Sequence, residues 1–456
     1  MSPVKPRGRT VHEFDVLVPE GSGPLSEQGV FEVPEAVFRW LHREALRLTA
    51  EEGASWVRLR PRRGAVAVQV TNYVGVIRVP GGYQLEVLPK VGKVSSGEVK
   101  STRMLLLDML CCLRGFRHVR LDAARLAAKR MPLLEVFIGQ FLQAVEGVVK
   151  SGLRGSYREE GGLRPYLRGR LDMPQHLRQN LCRRERFFVH CDEWSVDRPE
   201  NRLLHSALRA VMRISAERAN QQLARELRSV FADVPFSSQP MKDFREVCLD
   251  RGMQRYKTAL DWARLILCGE SPLTGEGSNE AVSLLFPMEA LFEAFVARHL
   301  GQALEPPYSL VTQSRKLSLV THKKASWFRL KPDLLVKHEA EDRIVLDTKW
   351  KLLDESRSDG KHKYGLSQAD FYQLHAYGCR YLNGSGDIAL IYPRTEVFGC
   401  ALEVFDFPGS SDLRLWVVPF CLETRKLWLS GAAKARLSML TAREPQLASA
   451  ASLGLN

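Results

Sequence analysis

The stretch Lys331-Pro-Asp-Leu-Leu-Val-Lys-His-Glu-Ala-Glu-Asp-Arg-Ile-Val-Leu-Asp-Thr-Lys-Trp-Lys351 decides how the C-terminal half of the chain folds. The apolar runs 334–336 and 344–346 have the size of two buried strands, and the polar run 339–342 between them supplies a turn. The stretch therefore predicts a β-hairpin whose flanking residues carry acidic and basic groups.

These flanking side chains predict a catalytic site. Side chains alternate along a strand, so Asp347 and Lys349 share one face, and Asp333 joins them if it lies opposite on the neighbouring strand. Two close carboxylates repel each other, and the usual relief is a divalent cation, typically Mg²⁺ when phosphate is the substrate. Such a site would hydrolyse phosphodiester bonds, with the lysine orienting or helping to deprotonate the attacking water. The alternative is a solvated surface hairpin whose charges only keep it soluble.

A helix is predicted to follow the hairpin within residues 367–378. Ser367 and Asp370 are spaced like a helix-capping pair, with aspartate in place of glutamate. Gln373 and Tyr377 are four residues apart and therefore fall on one helix face. Because a strand at 388–392 then returns to the sheet, the run of strand, strand, helix and strand predicts a small α/β core.

Composition restricts the class of protein. The chain has 456 residues, enough for two or three domains, and its 45% hydrophobic and 26% charged residues indicate a globular protein. A formal net charge of +14 and a pI of about 9.4 favour a polyanionic partner such as nucleic acid. Residues 1–10 lack the apolar core of a secretory signal, and no stretch is apolar enough to span a bilayer. With nine scattered cysteines, these features predict a cytoplasmic protein without membrane association.

Residues 1–100 are predicted to form a β-rich module. The run 65–79 is rich in β-branched residues, and a turn at 80–82 separates it from a second run at 83–88. One helix interrupts the strands at 34–49, and its apolar face comprises Val37, Leu41, Ala45 and Leu48. Such a module either binds a partner or serves as a structural platform, and nothing in it indicates catalysis.

Residues 101–280 are predicted to be mainly helical. The patterns place helices at 103–113, 121–130, 132–150, 200–231 and 254–267. A connector at 152–188 is rich in arginine and also carries aromatic side chains. Because arginine neutralises phosphate and stacks on flat rings, this connector is a candidate DNA-binding surface. Its candidate residues are Arg164, Arg168, Arg170, Arg183, Arg184 and Arg186. The alternative is a solvated loop that pairs with its own acidic residues.

Several motifs resemble those of known nucleases. Pro332-Asp333, thirteen intervening residues and Asp347-Thr-Lys349 resemble the PD-(D/E)xK motif, and Gln373 with Tyr377 resembles the additional motif of its RecB-like branch. Over residues 60–430 the chain also resembles McrC, the nuclease subunit of the McrBC modification-dependent restriction systems. The segments that carry this resemblance, in order, are 167–172, 187–190, 194–204, 288–295, 329–333, 346–351 and 370–377.

The resemblance implies a set of site residues. The implied metal ligands are Asp333, Asp347 and Glu293, and the implied catalytic residues are Asp333, Asp347, Lys349, Gln373 and Tyr377. Glu289 lies on the same helix flank and is the alternative to Glu293. The implied cofactor is Mg²⁺.

The resemblance also implies partners. Members of the McrC family associate with a hexameric AAA+ GTPase, stimulate it through their N-terminal part and cleave DNA. This chain is accordingly expected to bind DNA and a McrB-like AAA+ GTPase hexamer, with GTP used only by that partner. The sequence has no G-x-x-x-x-G-K-[ST] phosphate loop, so any translocation must be driven by another chain.

The sequence as a whole predicts an α+β multidomain protein. Its parts are a β-rich partner-binding module at 1–100, a helical middle region at 101–280, a PD-(D/E)xK nuclease domain at 281–430 and a weakly packed tail at 431–456. The expected function is that of the Mg²⁺-dependent endonuclease subunit of a McrBC-like, GTP-dependent system for phage defence. Two alternatives remain: a solitary RecB-like repair nuclease, which would cut without GTP, and a non-catalytic adaptor that binds DNA or activates a motor.

Overall fold

The computed structural model describes residues 8–22, 28–50, 55–62, 64–79, 81–91, 99–113, 131–179, 185–268, 282–409 and 412–441. In these ranges the chain is a mixed α/β protein with several sheets. Its strands up to residue 200 are β1 (Gly8–His12), β2 (Val16–Pro19), β3 (Val30–Val33), β4 (Val57–Arg62), β5 (Ala65–Val70), β6 (Tyr73–Arg78), β7 (Gln84–Leu88), β8 (Ser156–Arg164), β9 (Arg170–Leu171) and β10 (Phe187–Ser195). The later strands are β11 (Val282–Pro287), β12 (Tyr308–Thr312), β13 (Ser318–His322), β14 (Ala325–Arg329), β15 (Leu334–His338), β16 (Glu341–Thr348), β17 (Ser385–Pro393), β18 (Phe405–Asp406), β19 (Asp412–Cys421) and β20 (Lys426–Leu427).

The α-helices follow the same order along the chain. They are α1 (Glu35–Ala50), α2 (Val99–Leu110), α3 (Leu133–Lys150), α4 (Met173–Gln179), α5 (Pro199–Ile214), α6 (Arg218–Val230), α7 (Pro240–Glu246), α8 (Gln254–Cys268), α9 (Met288–Ala303), α10 (Gln368–Tyr381) and α11 (Gly431–Leu437). Within the described ranges, none of these helices is both long and apolar enough to cross a membrane.

Two four-stranded sheets form the N-terminal module. One has the strand order β1-β7-β6-β11 and the other the order β3-β2-β5-β4. Helix α1 packs on the second sheet with Val37, Leu41 and Ala45 buried, and Leu48 packs partly buried against the same core, which confirms the predicted apolar face. Because β11 pairs with β6, a strand from the second half of the sequence completes a sheet of this module.

The β-branched run 65–79 forms two strands, β5 and β6, which belong to different sheets. The first strand ends and the second begins on either side of Asn72, whose carbonyl accepts a hydrogen bond from the Met288 N–H at 2.9 Å. Strand β6 then approaches β11 closely at Gly75, which has a φ of 132°. A Cβ atom on this residue would lie 1.9 Å from the carbonyl oxygen of Leu284, so only glycine fits there.

The prediction of one helix at 200–231 is wrong, because the chain leaves the helical conformation at Ser215 and divides into α5 and α6. The buried carboxylate of Glu135 accounts for the break. It accepts hydrogen bonds from Ser215 Oγ and the Ala216 N–H, both at 2.7 Å, and from Asn220 Nδ2 at 2.8 Å. An N–H group that serves a buried carboxylate cannot also continue the helical ladder.

Three other helices of the middle region correspond to predictions. Helix α3 begins directly after Pro132 and ends at Lys150, as predicted, and α8 matches the helix predicted at 254–267. Helix α2 covers most of the segment predicted at 103–113. The helix predicted at 121–130 lies outside the described residues.

The connector predicted at 152–188 is not a loop but part of a three-stranded sheet with the order β8-β10-β9. Tyr157 lies opposite Trp194 with ring centroids 5.2 Å apart, and Arg164 forms an ion pair with Glu193 at 2.6 Å. Much of this sheet is exposed, so its sequence lacks the one-sided apolar alternation that marks a half-buried strand. Cross-strand pairs, which join residues far apart in sequence, stabilise it instead.

The C-terminal part is built on a mixed sheet with the order β12-β15-β16-β17-β19-β18, and β20 lies beside β19. Strands β15 and β16 form the predicted antiparallel hairpin, while β16, β17 and β19 run parallel. Helix α9 packs Phe292 and Phe295 against one face of the sheet, and α10 packs Leu374 and Tyr381 against the other. The predicted run of strand, strand, helix and strand is confirmed.

The described part of the tail is packed, contrary to prediction. Ala433 and Leu437 of α11 are buried, and so is Leu440 in the following turn. All three belong to the largest hydrophobic core of the chain. Their small or aliphatic side chains fit a helix that covers one side of this core. Residues 442–456 lie outside the described residues.

Candidate active site

The end of the β15–β16 hairpin brings two carboxylates together. Leu334 pairs with Leu346, and because the strands are antiparallel the next position places Asp333 beside Asp347. Asp333 Oδ2 accepts hydrogen bonds from both N and Oγ1 of Thr348, each at 2.8 Å. These contacts hold the first carboxylate of the pair in a fixed position.

The second carboxylate is buried and lies against the ammonium group of Lys349. Asp347 is only 1% exposed. Its Oδ2 lies 2.5 Å from Lys349 Nζ. Burial, and then the neighbouring Asp333, raise the pKa of Asp347 to about 7, although Lys349 acts in the opposite direction. A cation placed at this carboxylate would therefore be strongly stabilised.

Lys349 supplies the positive charge of the site. Its backbone N–H donates to the carbonyl of Ile391 at 2.9 Å, which holds the residue against β17. Burial by itself would lower the pKa of Lys349, but the nearby Asp347 and Asp333 outweigh burial and raise it. The lysine side chain therefore remains an ammonium ion at neutral pH, next to the carboxylate pair.

Helix α10 brings Gln373 and Tyr377 to the same place. Gln373 Nε2 donates to the Tyr377 hydroxyl at 2.6 Å, so the two residues share a helix face as predicted. The Tyr377 hydroxyl donates to the carbonyl of Lys331 at 3.1 Å, two residues before Asp333. Burial raises the pKa of Tyr377, the hydrogen bond from Gln373 opposes this effect, and the charges of Asp347 and Asp333 raise the pKa further.

The beginning of α10 differs from the predicted capping pair. Ser367 occupies the N-cap position, but its side chain makes no capping hydrogen bond. The charge of Asp370 instead acts on the site, where it contributes to raising the pKa of Asp347 and that of Tyr392. The Tyr392 hydroxyl is fully buried and has no hydrogen-bond partner among the described residues. Sequence spacing could have revealed Asp370, since it precedes Gln373 by three residues and so shares its helix face.

The structure separates the two glutamates of α9. Glu293 Oε1 accepts a hydrogen bond from Gln313 Nε2 at 2.9 Å, and burial followed by the charge of Asp333 raises the pKa of Glu293. Glu289 Oε1 instead accepts from Asn72 Nδ2 of the N-terminal module at 3.1 Å. Glu293 therefore lies on the side of the carboxylate pair and Glu289 on the side of the module. No three Asp, Glu, His or Cys side chains of the described ranges form a complete metal site by themselves.

A buried junction joins the N-terminal module to the residue after Lys349. Trp350 Nε1 donates to the fully buried carboxylate of Glu13, at 3.0 Å to Oε1 and 2.9 Å to Oε2. Lys90 donates its backbone N–H to Glu13 and its Nζ to the carbonyl of Trp350, each at 2.9 Å. The module is thereby hydrogen-bonded to the strand end that carries the site. Sequence reasoning missed this contact, because it joins residues 337 positions apart.

Trp350→Phe is expected to lower the free energy of unfolding by about 1–3 kcal/mol, because it removes a donor from the buried carboxylate of Glu13. Denaturant unfolding measures the change. Trp416→Phe is the matched control, since it removes the indole donor to Asp387, at 2.8 Å, on the same sheet but away from the junction. In a double-mutant cycle with Glu13→Gln, the Trp350 change should couple to Glu13 and the Trp416 change should not. If the changes in unfolding free energy caused by Trp350→Phe and Glu13→Gln were additive, the hydrogen bond between these two residues would not contribute to stability.

The arginines predicted to bind DNA lie on the β8–β10–β9 sheet or near it. Arg164 and Arg170 lie within ion-pair distance of glutamates of the same sheet, at 2.6 and 3.5 Å. Arg168 and Arg186 are exposed. The DNA-binding role of these four residues stays a prediction. Two further candidates, Arg183 and Arg184, lie outside the described residues.

Comparison with known proteins gives a family and a fold. The model of the family described as McrBC 5-methylcytosine restriction system component matches residues 68–393. A chain from a refined half-complex of a tetradecameric assembly of Thermococcus gammatolerans McrB AAA+ hexamers with bound McrC has 19% sequence identity and a TM-score of 0.66. That similarity covers 95% of this chain and 99% of the other, and it shows a shared fold.

The sequence and fold were also compared with a chain of the Thermococcus gammatolerans McrBC complex, which has 20% sequence identity and a TM-score of 0.48. That similarity covers 64% of this chain and 87% of the other. No curated protein matches the sequence. The family model covers well over half of the chain. The chain therefore belongs to the McrBC 5-methylcytosine restriction system component family.

Proposed function

We propose that this chain is the DNA-cleaving subunit of a McrBC-type restriction system. The observation that carries the proposal is the meeting of Asp333, Asp347 and Lys349 at one end of the β15–β16 hairpin, in a chain of the McrBC family. A mixed sheet with α9 on one face and α10 on the other supports assignment of this part to the PD-(D/E)xK nucleases. The reaction is hydrolysis of DNA phosphodiester bonds.

The carboxylate pair is the proposed Mg²⁺ site, with Asp333 and Asp347 as ligands and Glu293 as an assisting carboxylate. The burial of Asp347 beside a second carboxylate and its raised pKa support the assignment, because a divalent cation favours the ionised carboxylate. Mg²⁺ usually keeps several waters and binds through one or two carboxylates plus phosphate, so two or three carboxylates suffice. When bound, Mg²⁺ would act as a Lewis acid on the scissile phosphate.

The other residues of the site act by position and charge. The Lys349 ammonium, held beside Asp347, orients the attacking water and offsets the negative charge that develops on the phosphate. Gln373 and Tyr377 are positioning residues, because the Tyr377 hydroxyl is hydrogen-bonded to the backbone just before Asp333. Together these contacts restrain the geometry of the carboxylate pair, which hydrolysis requires.

A McrB-like AAA+ GTPase hexamer is the proposed partner. One chain of a solved assembly shares the fold of this chain, and that assembly contains McrB AAA+ hexamers with bound McrC. The sequence of this chain has no phosphate loop of the G-x-x-x-x-G-K-[ST] type, so GTP would be the cofactor of the partner. In this proposal the N-terminal module stimulates the partner, and the junction at Glu13 and Trp350 links that module to the site.

Plasmid cleavage tests the proposed function. The purified chain is incubated with Mg²⁺ and either methylated or unmethylated plasmid, alone and together with a McrB-like AAA+ GTPase plus GTP. Cleavage only in the complete mixture, and its loss with Asp347→Asn, would support the two-component system. Cleavage by the chain alone would indicate a solitary nuclease, and intact cleavage by the Asp347→Asn variant would refute the site.

The double variant Arg168→Ala/Arg186→Ala is expected to weaken DNA binding and to reduce the slope of log affinity against log salt by roughly 0.9 for each phosphate that is no longer neutralised. Fluorescence anisotropy over a salt series measures both quantities. Arg218→Ala/Arg225→Ala removes the same charge from exposed positions of α6 and serves as the control. If both double variants show the wild-type slope, Arg168 and Arg186 belong to the solvated surface.

A further inference from the structure

The β13–β14 hairpin has no structural role that its own contacts explain. It is a two-stranded sheet that pairs with no other strand of the described ranges. Nine of its ten strand residues are exposed, and only Ser318 is buried. Trp327 is 49% exposed and Phe328 is 69% exposed. Large aromatic side chains at this exposure contribute little to a core and are typical of a contact surface.

The base of this hairpin is held firmly beside the proposed active site. Arg380 of α10 donates from Nε to the carbonyl of Ser318 at 3.1 Å. The buried hydroxyl of Tyr381 lies 3.3 Å from the carbonyl oxygen of Ser314 and 3.4 Å from that of Leu330. The second strand ends at Arg329, four residues before Asp333. The same helix therefore positions both the hairpin and the carboxylate pair.

The hairpin and its stem carry only positive charge. Residues 313–332 contain six lysines and arginines, one histidine and no acidic residue. Lys323 and Lys324 form the two-residue turn with φ values of 46° and 65°, a conformation in which asparagine and glycine are the usual residues. Both lysines are exposed, and neither forms an ion pair within the part of the chain that the structure describes. Two lysines at the tip thus remain available for an anionic partner.

We propose that the β13–β14 hairpin is an arm that binds duplex DNA and delivers the phosphodiester to the carboxylate pair. The tip lysines contact backbone phosphates, and Trp327 and Phe328 pack against sugar and base edges in the groove. The choice of DNA follows from charge, because an arm that lacks every acidic residue is complementary to a polyphosphate. This inference rests on the proposed nuclease function and adds to it a substrate-positioning element separate from the arginine-rich sheet.

Equilibrium binding of the full-length chain to a fluorescein-labelled DNA duplex, in EDTA and over a salt series, tests the arm. Lys323→Ala/Lys324→Ala is expected to weaken binding roughly tenfold and to lower the salt slope by about 1.8, or 0.9 per phosphate contact. Trp327→Ala/Phe328→Ala should weaken binding with an unchanged slope, since it removes no charge. Lys150→Ala/Lys242→Ala, two exposed lysines on distant helices, controls for net charge and should bind like the wild type.

The outcomes distinguish a failure of the proposed DNA-binding arm from a failure of the proposed nuclease function. The wild type is assayed in parallel for plasmid cleavage with the AAA+ partner and GTP, which tests the proposed function alone. Hairpin variants that bind DNA with wild-type affinity and slope would overturn the arm while leaving the nuclease intact. Wild-type chain that does not bind the duplex would overturn it as well. Variants that bind DNA normally but no longer bind the AAA+ partner would show the hairpin to be a protein-docking surface, and would also overturn the proposal.

Discussion

Asp347→Asn is expected to reduce DNA cleavage by at least about a hundredfold, because a metal ligand supplies several kcal/mol of transition-state stabilisation and each 1.4 kcal/mol changes the rate tenfold. The asparagine has nearly the same shape, so the fold and the association with the AAA+ partner should remain. Plasmid cleavage with Mg²⁺ measures the first effect, and co-purification with the partner measures the second. Asp347 is almost fully buried and lies beside a second carboxylate, so the loss of its charge should act directly on the metal site.

The same variant should show a pH-dependent gain in stability. The folded protein raises the pKa of Asp347 from 3.8 to about 7, so this carboxyl contributes stability that is complete below its unfolded pKa and is lost as the pH rises through its folded pKa. In metal-free buffer the wild type should therefore lose stability relative to Asp347→Asn as the pH is raised from acid to above neutrality. Thermal unfolding at a series of pH values measures this difference.

Added Mg²⁺ provides a readout that does not depend on cleavage. It should raise the unfolding temperature of the wild type above neutral pH, where Asp347 is ionised, and should raise that of Asp347→Asn much less. Asp342→Asn is the matched control: it removes a carboxylate that pairs with Lys337 at the other end of the same hairpin, at 2.8 Å. Asp347 would not belong to the site if the Asp347→Asn variant cleaved DNA at the wild-type rate. The same conclusion would follow if Mg²⁺ raised the unfolding temperatures of the variant and the wild type equally.

Lys349→Met is expected to lose cleavage to a similar extent, roughly a hundredfold, for a different reason. The ammonium offsets charge on the phosphate and orients water, and methionine keeps the length of the side chain without its charge. The ammonium also opposes a cation at Asp347, because it lies 2.5 Å from Oδ2. Its removal should therefore leave the Mg²⁺-induced shift of the unfolding temperature intact or enlarge it, in contrast to Asp347→Asn.

Lys351→Met controls for the loss of a lysine from this segment. Lys351 is exposed, and its Nζ donates to the carbonyl of Gly365 rather than to the carboxylate pair. The Lys351→Met variant should cleave DNA at close to the wild-type rate. Lys349→Met that cleaves as fast as Lys351→Met would show that the lysine has no part in the reaction. A loss of the Mg²⁺ shift with Lys349→Met would assign it to the fold of the site rather than to the chemistry.

Local pattern was sufficient for the part of the chain that carries the site. The two apolar runs flanking the 339–342 turn predicted the hairpin, and the four-residue spacing of Gln373 and Tyr377 predicted the shared helix face. Both signals depend only on side-chain periodicity, which is fixed by backbone geometry. Asp370 was misinterpreted because a carboxylate near a helix start serves a cap or a site equally well by spacing alone. The missing capping hydrogen bond of Ser367 and the effect of the Asp370 charge on the pKa of Asp347 favour the site.

The sequence by itself determined the hairpin of Asp333 and Asp347 and the helix beside it, because these depend on residues close together in the chain. Its short motifs, taken in order, also indicated the McrBC family. Only the tertiary structure decided the features that depend on distant partners. In the structure β11 belongs to the N-terminal module, and the arginine-rich connector forms part of a sheet. The predicted 200–231 helix is divided at Ser215, which donates a hydrogen bond to the buried Glu135. The tertiary structure also separated Glu293 from Glu289, because two glutamates on one helix acquire different neighbours only when the sheet and the module pack on either side of that helix.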